Sequence, residues 1–101
     1  MTFEELRLVR TAQAILVRSY VDTQKLEIDV TGHMIHVEGE LQLFDYHPAA
    51  RKQDRTERDM SIKRMLLHIE QQIRAIPDVA AVEFKLTNWE RVGNQWLPKS
   101  R

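Results

Sequence analysis

The sequence of this 101-residue chain contains no cysteine, so it can form neither a disulfide framework nor a thiolate metal site. No apolar run approaches the ~20 residues that a membrane-spanning helix requires. The first ten residues, MTFEELRLVR, lack the apolar segment of a secretory signal peptide. We therefore expect a soluble, cytoplasmic protein, and the length suits one small domain with a single core.

Catalytic motifs are also missing, since the chain has no P-loop, dinucleotide fingerprint, nucleophile elbow or metalloprotease motif. His36 with Asp29, Glu38 and Glu40 forms the one candidate carboxylate–imidazole cluster. It would lie on an open sheet face, where nothing excludes water. We therefore expect no enzymatic activity, no metal and no cofactor. Metal-assisted hydrolysis around His36 is kept as a third hypothesis.

The clearest positive signal is an alternation of apolar and polar residues over 25–43, on both sides of Gly32 and His33. A period of two predicts two strands with one buried and one exposed face. Gly32 suits the first central position of a type II′ turn, which fixes the register of the hairpin. The predicted pairs are Thr31 with Met34, Val30 with Ile35, Asp29 with His36, Ile28 with Val37, Glu27 with Glu38, Leu26 with Gly39, and Lys25 with Glu40.

Apolar residues at helical spacing predict a helix on each side of this hairpin. The first helix covers residues 2 to about 20 and begins with a capping box of Thr2 and Glu5. Its predicted apolar stripe is Leu6, Val9, Leu16 and Tyr20, widened by Leu8, Ala12 and Ile15. The second helix begins near Asp54 or Thr56 and ends at Ile76, before a proline. Its predicted core stripe is Ile62, Leu66, Ile69, Ile73 and Ile76.

A third strand is predicted over residues 79–87, with Glu83 and Lys85 facing outward. These elements predict an α+β fold, a two-layer sandwich with two helices on one face of a three-stranded sheet, in the order α-β-β-α-β. We expect a split β-α-β connection that places the first strand in the middle of the sheet. Residues 1–87 form the predicted domain, and residues 88–101 form a C-terminal tail.

The tail contains Trp89 and Trp96, and Gly93-Asn94 could turn a short hairpin that brings Trp96 back toward Arg91. Two tryptophans in a short polar segment either cover an open edge of the sheet or anchor a partner. The structural role is favoured, and the partner role is kept as an alternative.

The net charge is zero, but the charges are unevenly distributed along the chain. Residues 22–45 contain six acids against Lys25 alone, and residues 51–64 contain six bases against three acids. Such asymmetry favours oriented encounters, including head-to-tail self-association. The alternative function is nucleic-acid binding through the basic 51–64 segment, which the acidic strands and zero net charge make the weaker hypothesis.

The chain resembles the BON domain and the related ring-building modules of bacterial secretion assemblies. The matching residues are Ile28-x-Val30, Gly32, Ile35-x-Val37-x-Gly39-x-Leu41 and Ile76-Pro77-Asp78-Val79-x-x-Val82. The family usually has glycine at the position of Asp78. The resemblance covers roughly residues 6–87 and implies a non-enzymatic module that binds proteins, phospholipid surfaces or copies of itself.

We therefore expect a non-enzymatic protein-interaction or assembly module, an adaptor that binds a protein partner or associates with itself. Binding to a membrane surface is implied by the resemblance alone. The predicted partner-binding residues lie in the loop after the hairpin, at the start of the second helix and in the tail: Phe44, Tyr46, Arg51, Lys52, Arg55, Arg58, Trp89 and Trp96.

Overall fold

The chain folds into two helices, a three-stranded sheet and a short second hairpin, in a computed structural model that describes residues 2–44 and 54–99. No helix in these ranges is long and apolar enough to cross a bilayer. The predicted α-β-β-α-β order is confirmed. The elements are α1 (Phe3–Arg18), β1 (Leu26–Thr31), β2 (Met34–Gly39), α2 (Arg55–Arg74), β3 (Ala81–Leu86), β4 (Trp89–Val92) and β5 (Gln95–Pro98), with a 3₁₀ turn (Thr23–Lys25) before β1.

The β1–β2 hairpin has the predicted register, from Thr31 opposite Met34 to Leu26 opposite Gly39. Gly32 has a φ of 62° whereas His33 has no positive φ, as a type II′ turn requires. All the inner-facing apolar side chains of the hairpin therefore lie on one face, against the helices.

The predicted position of the first strand is wrong, because β2 and not β1 is the central strand. β3 pairs directly and in parallel with β2, so the connection through α2 is an unsplit β-α-β crossover. The burial of the inner-facing residues fits this order. Ile35 and Val37 of β2 are 0% and 1% exposed, whereas Ile28 of the edge strand β1 is only half-buried.

Both helices begin at the predicted caps. The Thr2 N–H donates to the Glu5 carboxylate (3.0 Å), and the Glu5 N–H donates to the Thr2 hydroxyl (3.1 Å). Hydrogen bonding by Thr2, above all from its backbone and then from its side chain, lowers the pKa of the Glu5 carboxyl group. The ionised Glu5 carboxylate therefore stabilises the folded state at neutral pH, and this contribution is lost as the pH falls through the lowered pKa. Asp54 caps α2 by accepting from the N–H groups of Thr56 and Glu57.

The helices place different parts of their predicted stripes in the core. All five predicted core residues of α2 and its C-terminal extension are buried. In α1 the buried residues are Leu8, Ala12, Ile15 and Leu16, whereas Leu6 is exposed, as is Tyr20, which lies beyond the end of the helix. The buried side of α1 is therefore rotated around the helix axis relative to the predicted apolar stripe. A helix that packs on a sheet buries one side only, and α1 has more apolar residues than that side holds.

The C-terminal residues return to the same core as a separate hairpin. Gly93-Asn94 forms the turn, and Arg91 lies opposite Trp96 as predicted. The Asn88 side chain joins this hairpin to the end of β2, because its amide accepts from the Leu41 N–H (3.0 Å) and donates to the Leu41 carbonyl (2.8 Å). The Asn88 side chain thus bonds the Leu41 backbone as the peptide group of a neighbouring strand would, beyond the ends of β2 and β3.

Gly39 ends β2 where the chain passes close to the residues before β1. Its φ is 127°, and a Cβ at this position would overlap the carbonyl oxygen of Lys25. The obstacle is backbone, which no side-chain rotation can remove. Glycine is therefore required here both by conformation and by space.

We expect Gly39→Ala to lower the free energy of unfolding by about 3 kcal/mol or more, because strain and overlap add. Gly32→Ala is the matched control: its φ is also positive, but nothing lies within 4 Å of the added methyl. It should cost about 1 kcal/mol. Urea unfolding of both variants measures the difference, and equal losses would contradict the close-approach argument.

Asp78 lies in the connection from α2 to β3 with a φ of 75°, in the left-handed region that favours glycine. Its carboxylate is 3.4 Å from the Arg7 guanidinium in an exposed ion pair, and its carbonyl accepts from His33 Nδ1 (2.9 Å). Glycine adopts this backbone conformation without strain, so Asp78 carries a conformational cost that glycine would not.

We expect Asp78→Gly to be more stable than Asp78→Ala by about 1 kcal/mol, because both lose the ion pair and only glycine relieves the left-handed strain. The midpoints of urea unfolding compare the two variants directly. An alanine variant as stable as the glycine variant would show that the conformation at this residue is not strained.

Candidate functional site

The sheet face that points away from the helices carries mostly charged side chains, because residues alternate between the two faces of each strand. We call it the acidic sheet face. Four carboxylates lie on it against one lysine. Its residues are Glu27, Asp29 and Thr31 of β1, Met34, His36 and Glu38 of β2, and Ala81, Glu83 and Lys85 of β3.

His36 lies at the centre of this face because β2 is the central strand. Asp29 lies opposite it on β1, and Glu83 lies beside it on β3. Glu83 Oε1 is 3.4 Å from His36 Nδ1 and 3.5 Å from Lys85 Nζ. The predicted cluster contained Glu40, which instead lies 3.8 Å from Lys25 Nζ. Sequence reasoning missed Glu83 because it placed β3 beside the wrong strand.

Glu27 and Glu38 face each other across β1 and β2. Within residues 2–44 and 54–99, neither carboxylate has an ion-pair partner. Like charges directly opposite in a sheet repel each other. A cationic group placed between them would remove this repulsion, so the pair favours contact with arginine or lysine.

The same face contains a shallow groove of about 380 Å³ between Glu27, His36 and Lys85. It is open to solvent, and the His36 side chain is 24% exposed. In the described part of the chain, no three histidine or carboxylate side chains are placed to hold one metal ion. The metal-assisted hydrolysis considered for His36 therefore finds no geometric support in these residues.

The predicted loop and helix residues are only partly described. Phe44 is half-buried, and its N–H donates to the Tyr20 carbonyl (2.9 Å). Arg55 is exposed and Arg58 is half-buried in the first turns of α2. Tyr46, Arg51 and Lys52 lie outside the described residues. The role predicted for this segment stays a prediction.

Both tryptophans are buried, with 5% of Trp89 and 1% of Trp96 exposed. Trp96 meets Phe84 edge to face, with ring centroids 5.1 Å apart and an interplanar angle of 83°. Beside it, Arg91 lies 3.3 Å from the buried carboxylate of Glu70. The indole rings thus pack in the core, and a partner could reach them only if the hairpin opened.

We expect Trp96→Ala to lower the free energy of unfolding by about 3–5 kcal/mol, because it leaves a large cavity beside Phe84. Trp96→Phe is the control, and it should cost less, since it keeps an aromatic ring and removes an indole N–H that has no acceptor among the described residues. Urea unfolding followed by circular dichroism measures both. An alanine variant of unchanged stability would assign the ring to partner binding instead.

A second exposed surface, which sequence reasoning missed, lies on α1. We call it the arginine face. It consists of Phe3, Leu6, Arg7, Arg10, Thr11, Ala14 and Arg18, which border a groove of about 580 Å³. Phe3 is 89% exposed. The signal is present at helical spacing, but the predicted apolar stripe of α1 places Leu6 in the core.

Comparison of the chain with family models, curated proteins and solved structures finds no match in any of the three. The resemblance to the BON domain therefore stays an expectation from the residues that carry it. The functional argument depends on the two charged surfaces alone.

Proposed function

We propose that this chain is a non-enzymatic protein-interaction and assembly module whose acidic sheet face binds an arginine- or lysine-bearing protein surface. The observation that carries the proposal is this face of the described sheet, which has four carboxylates against Lys85 and, within residues 2–44 and 54–99, no ion pair that relieves Glu27 and Glu38. Charge complementarity of this kind selects partners and speeds encounter.

The shape of the site supports a protein partner over a small molecule. Small-molecule sites are concave and mostly apolar, and they enclose most of the ligand. The acidic sheet face is open and polar. A broad, wet, charged surface suits the rim and water-mediated contacts of protein interfaces.

The arginine face provides a matching surface on the same molecule. α1 packs on the inner side of the sheet, so its exposed side points away from the acidic sheet face. Two copies could therefore meet head to tail, with Arg7, Arg10 and Arg18 of one copy against Glu27 and Glu38 of the next. Such a heterologous contact builds rings or filaments, depending on the rotation between copies.

Light scattering at low and high salt tests this proposal. We expect the wild-type chain to associate at low salt and to dissociate as salt screens the charges. Glu27→Gln with Glu38→Gln, and Arg7→Gln with Arg10→Gln, should each abolish this association. The control Glu4→Gln with Glu90→Gln changes net charge equally, outside the acidic sheet face, and should leave association unchanged.

A mixture of the glutamate double variant and the arginine double variant gives a second test of the head-to-tail contact. Each retains one working surface, so an equimolar mixture should restore one head-to-tail contact per pair of chains, without continuing into longer head-to-tail assemblies. A wild-type chain that stays monomeric at every salt concentration would exclude a second copy as the partner. The acidic sheet face would then be tested with a separate basic protein. We expect the wild-type chain to bind it and the variant with Glu27→Gln and Glu38→Gln not to bind it.

A further inference from the structure

The two edges of the three-stranded sheet differ in their exposed backbone groups. The Glu40 N–H donates to the Lys25 carbonyl, so the even-numbered residues of β2 bond β1 and its odd-numbered residues bond β3. The Thr87 N–H accordingly donates to the Gly39 carbonyl (2.8 Å). By the same alternation, the backbone groups of Val82, Phe84 and Leu86 point away from the sheet.

The β1 edge is partly closed by its own chain. Two of its outward N–H groups are satisfied locally: the Leu26 N–H by the Thr23 carbonyl, and the Val30 N–H by the Asp29 carboxylate (2.8 Å). Side chains and turns that occupy edge groups in this way prevent further strands from adding.

The β3 edge lacks this protection. The described residues include no strand that pairs with it, because β4 and β5 form their own two-stranded sheet. Its inner-facing Val82 and Phe84 are only half-buried. A groove of about 480 Å³ separates Phe84, Lys85 and Leu86 of this edge from the C-terminal hairpin, whose Trp89, Glu90 and Arg91 line its other side. Half-buried apolar side chains and outward-pointing backbone groups thus lie together at Val82 and Phe84, whereas Leu86 is buried.

We propose that β3 pairs antiparallel with β3 of a second copy, so that two three-stranded sheets join into one six-stranded sheet across a two-fold axis. With Phe84 on the axis, Val82 lies opposite Leu86 of the second copy on the inner face. On the outer face, Glu83 lies opposite Lys85 of the second copy, and Lys85 opposite Glu83.

The side-chain charges select this register. Glu83 and Lys85 would form non-hydrogen-bonded pairs, in which side chains approach most closely. Moving the axis by one residue, to Glu83 or to Lys85, sets identical charges opposite each other, which is unfavourable. The sequence of β3, AVEFKL, is therefore self-complementary about its phenylalanine.

This dimer uses a surface separate from the head-to-tail contact proposed above. The test is made in the Glu27→Gln and Glu38→Gln background, where association through the acidic sheet face is removed. Failure of one proposal therefore leaves the other untouched. Sedimentation equilibrium at moderate salt measures the dissociation constant of the dimer.

We expect the background protein to dimerise, and Lys85→Glu to raise the dissociation constant by about ten- to a hundredfold, because two attractive cross-strand pairs become repulsive. Glu83→Lys should weaken the dimer to a similar extent. The two substitutions together restore opposite charges and should restore dimerisation. Lys25→Glu, with the same charge change near the β1 edge, is the matched control.

Amide hydrogen exchange gives a readout at the edge itself. The Phe84 N–H should become protected as the protein concentration rises, whereas the Ile28 N–H on the β1 edge should not change. A background protein that stays monomeric would overturn the proposal. So would a dimer that Lys85→Glu leaves intact, or one in which the double charge exchange fails to restore association.

Discussion

The central strand β2 is the constraint on which the rest of the structure depends, because its backbone is hydrogen-bonded on both sides. Its even-numbered residues bond β1 and its odd-numbered residues bond β3. One alternation therefore sets which side chains enter the core and where each neighbouring strand lies. It places Ile35 and Val37 at the best-buried positions of the sheet and His36 between Asp29 of β1 and Glu83 of β3. The glycine that ends this strand lets the chain before β1 approach closely.

Sequence reasoning predicted the parts of the fold that local periodicity encodes. The hairpin register followed from a period of two and a glycine at the turn, and the caps of α1 and α2 followed from side chains that accept backbone hydrogen bonds. The strand order did not follow, since β1 and β2 have similar apolar alternation and nothing local states which of them has two neighbours. Pairing of β3 with β2 depends instead on the path of α2 across the sheet, which is a property of tertiary packing.

The candidate site likewise has features that the sequence predicts and features that depend on tertiary packing. The outward side chains of the acidic sheet face were predictable from alternation, but the meeting of His36 with Glu83 required the strand order. The sequence favoured a structural role for Trp96 but not the place where it packs, because that place depends on Phe84 and α2 together. The arginine face was missed for a different reason: exposed and buried apolar residues on one helix look alike in sequence.

The ion pair between Glu70 and Arg91 has a consequence for how far the chain can be shortened. Glu70 is 5% exposed, and its other cationic neighbour, Arg74, is itself largely in solvent. A fragment that ends before Trp89 would lose Arg91 and the indole packing at once, and would expose to water the apolar residues that the hairpin covers. We therefore expect removal of residues 89–98 to destabilise the fold, although the predicted domain ends at residue 87.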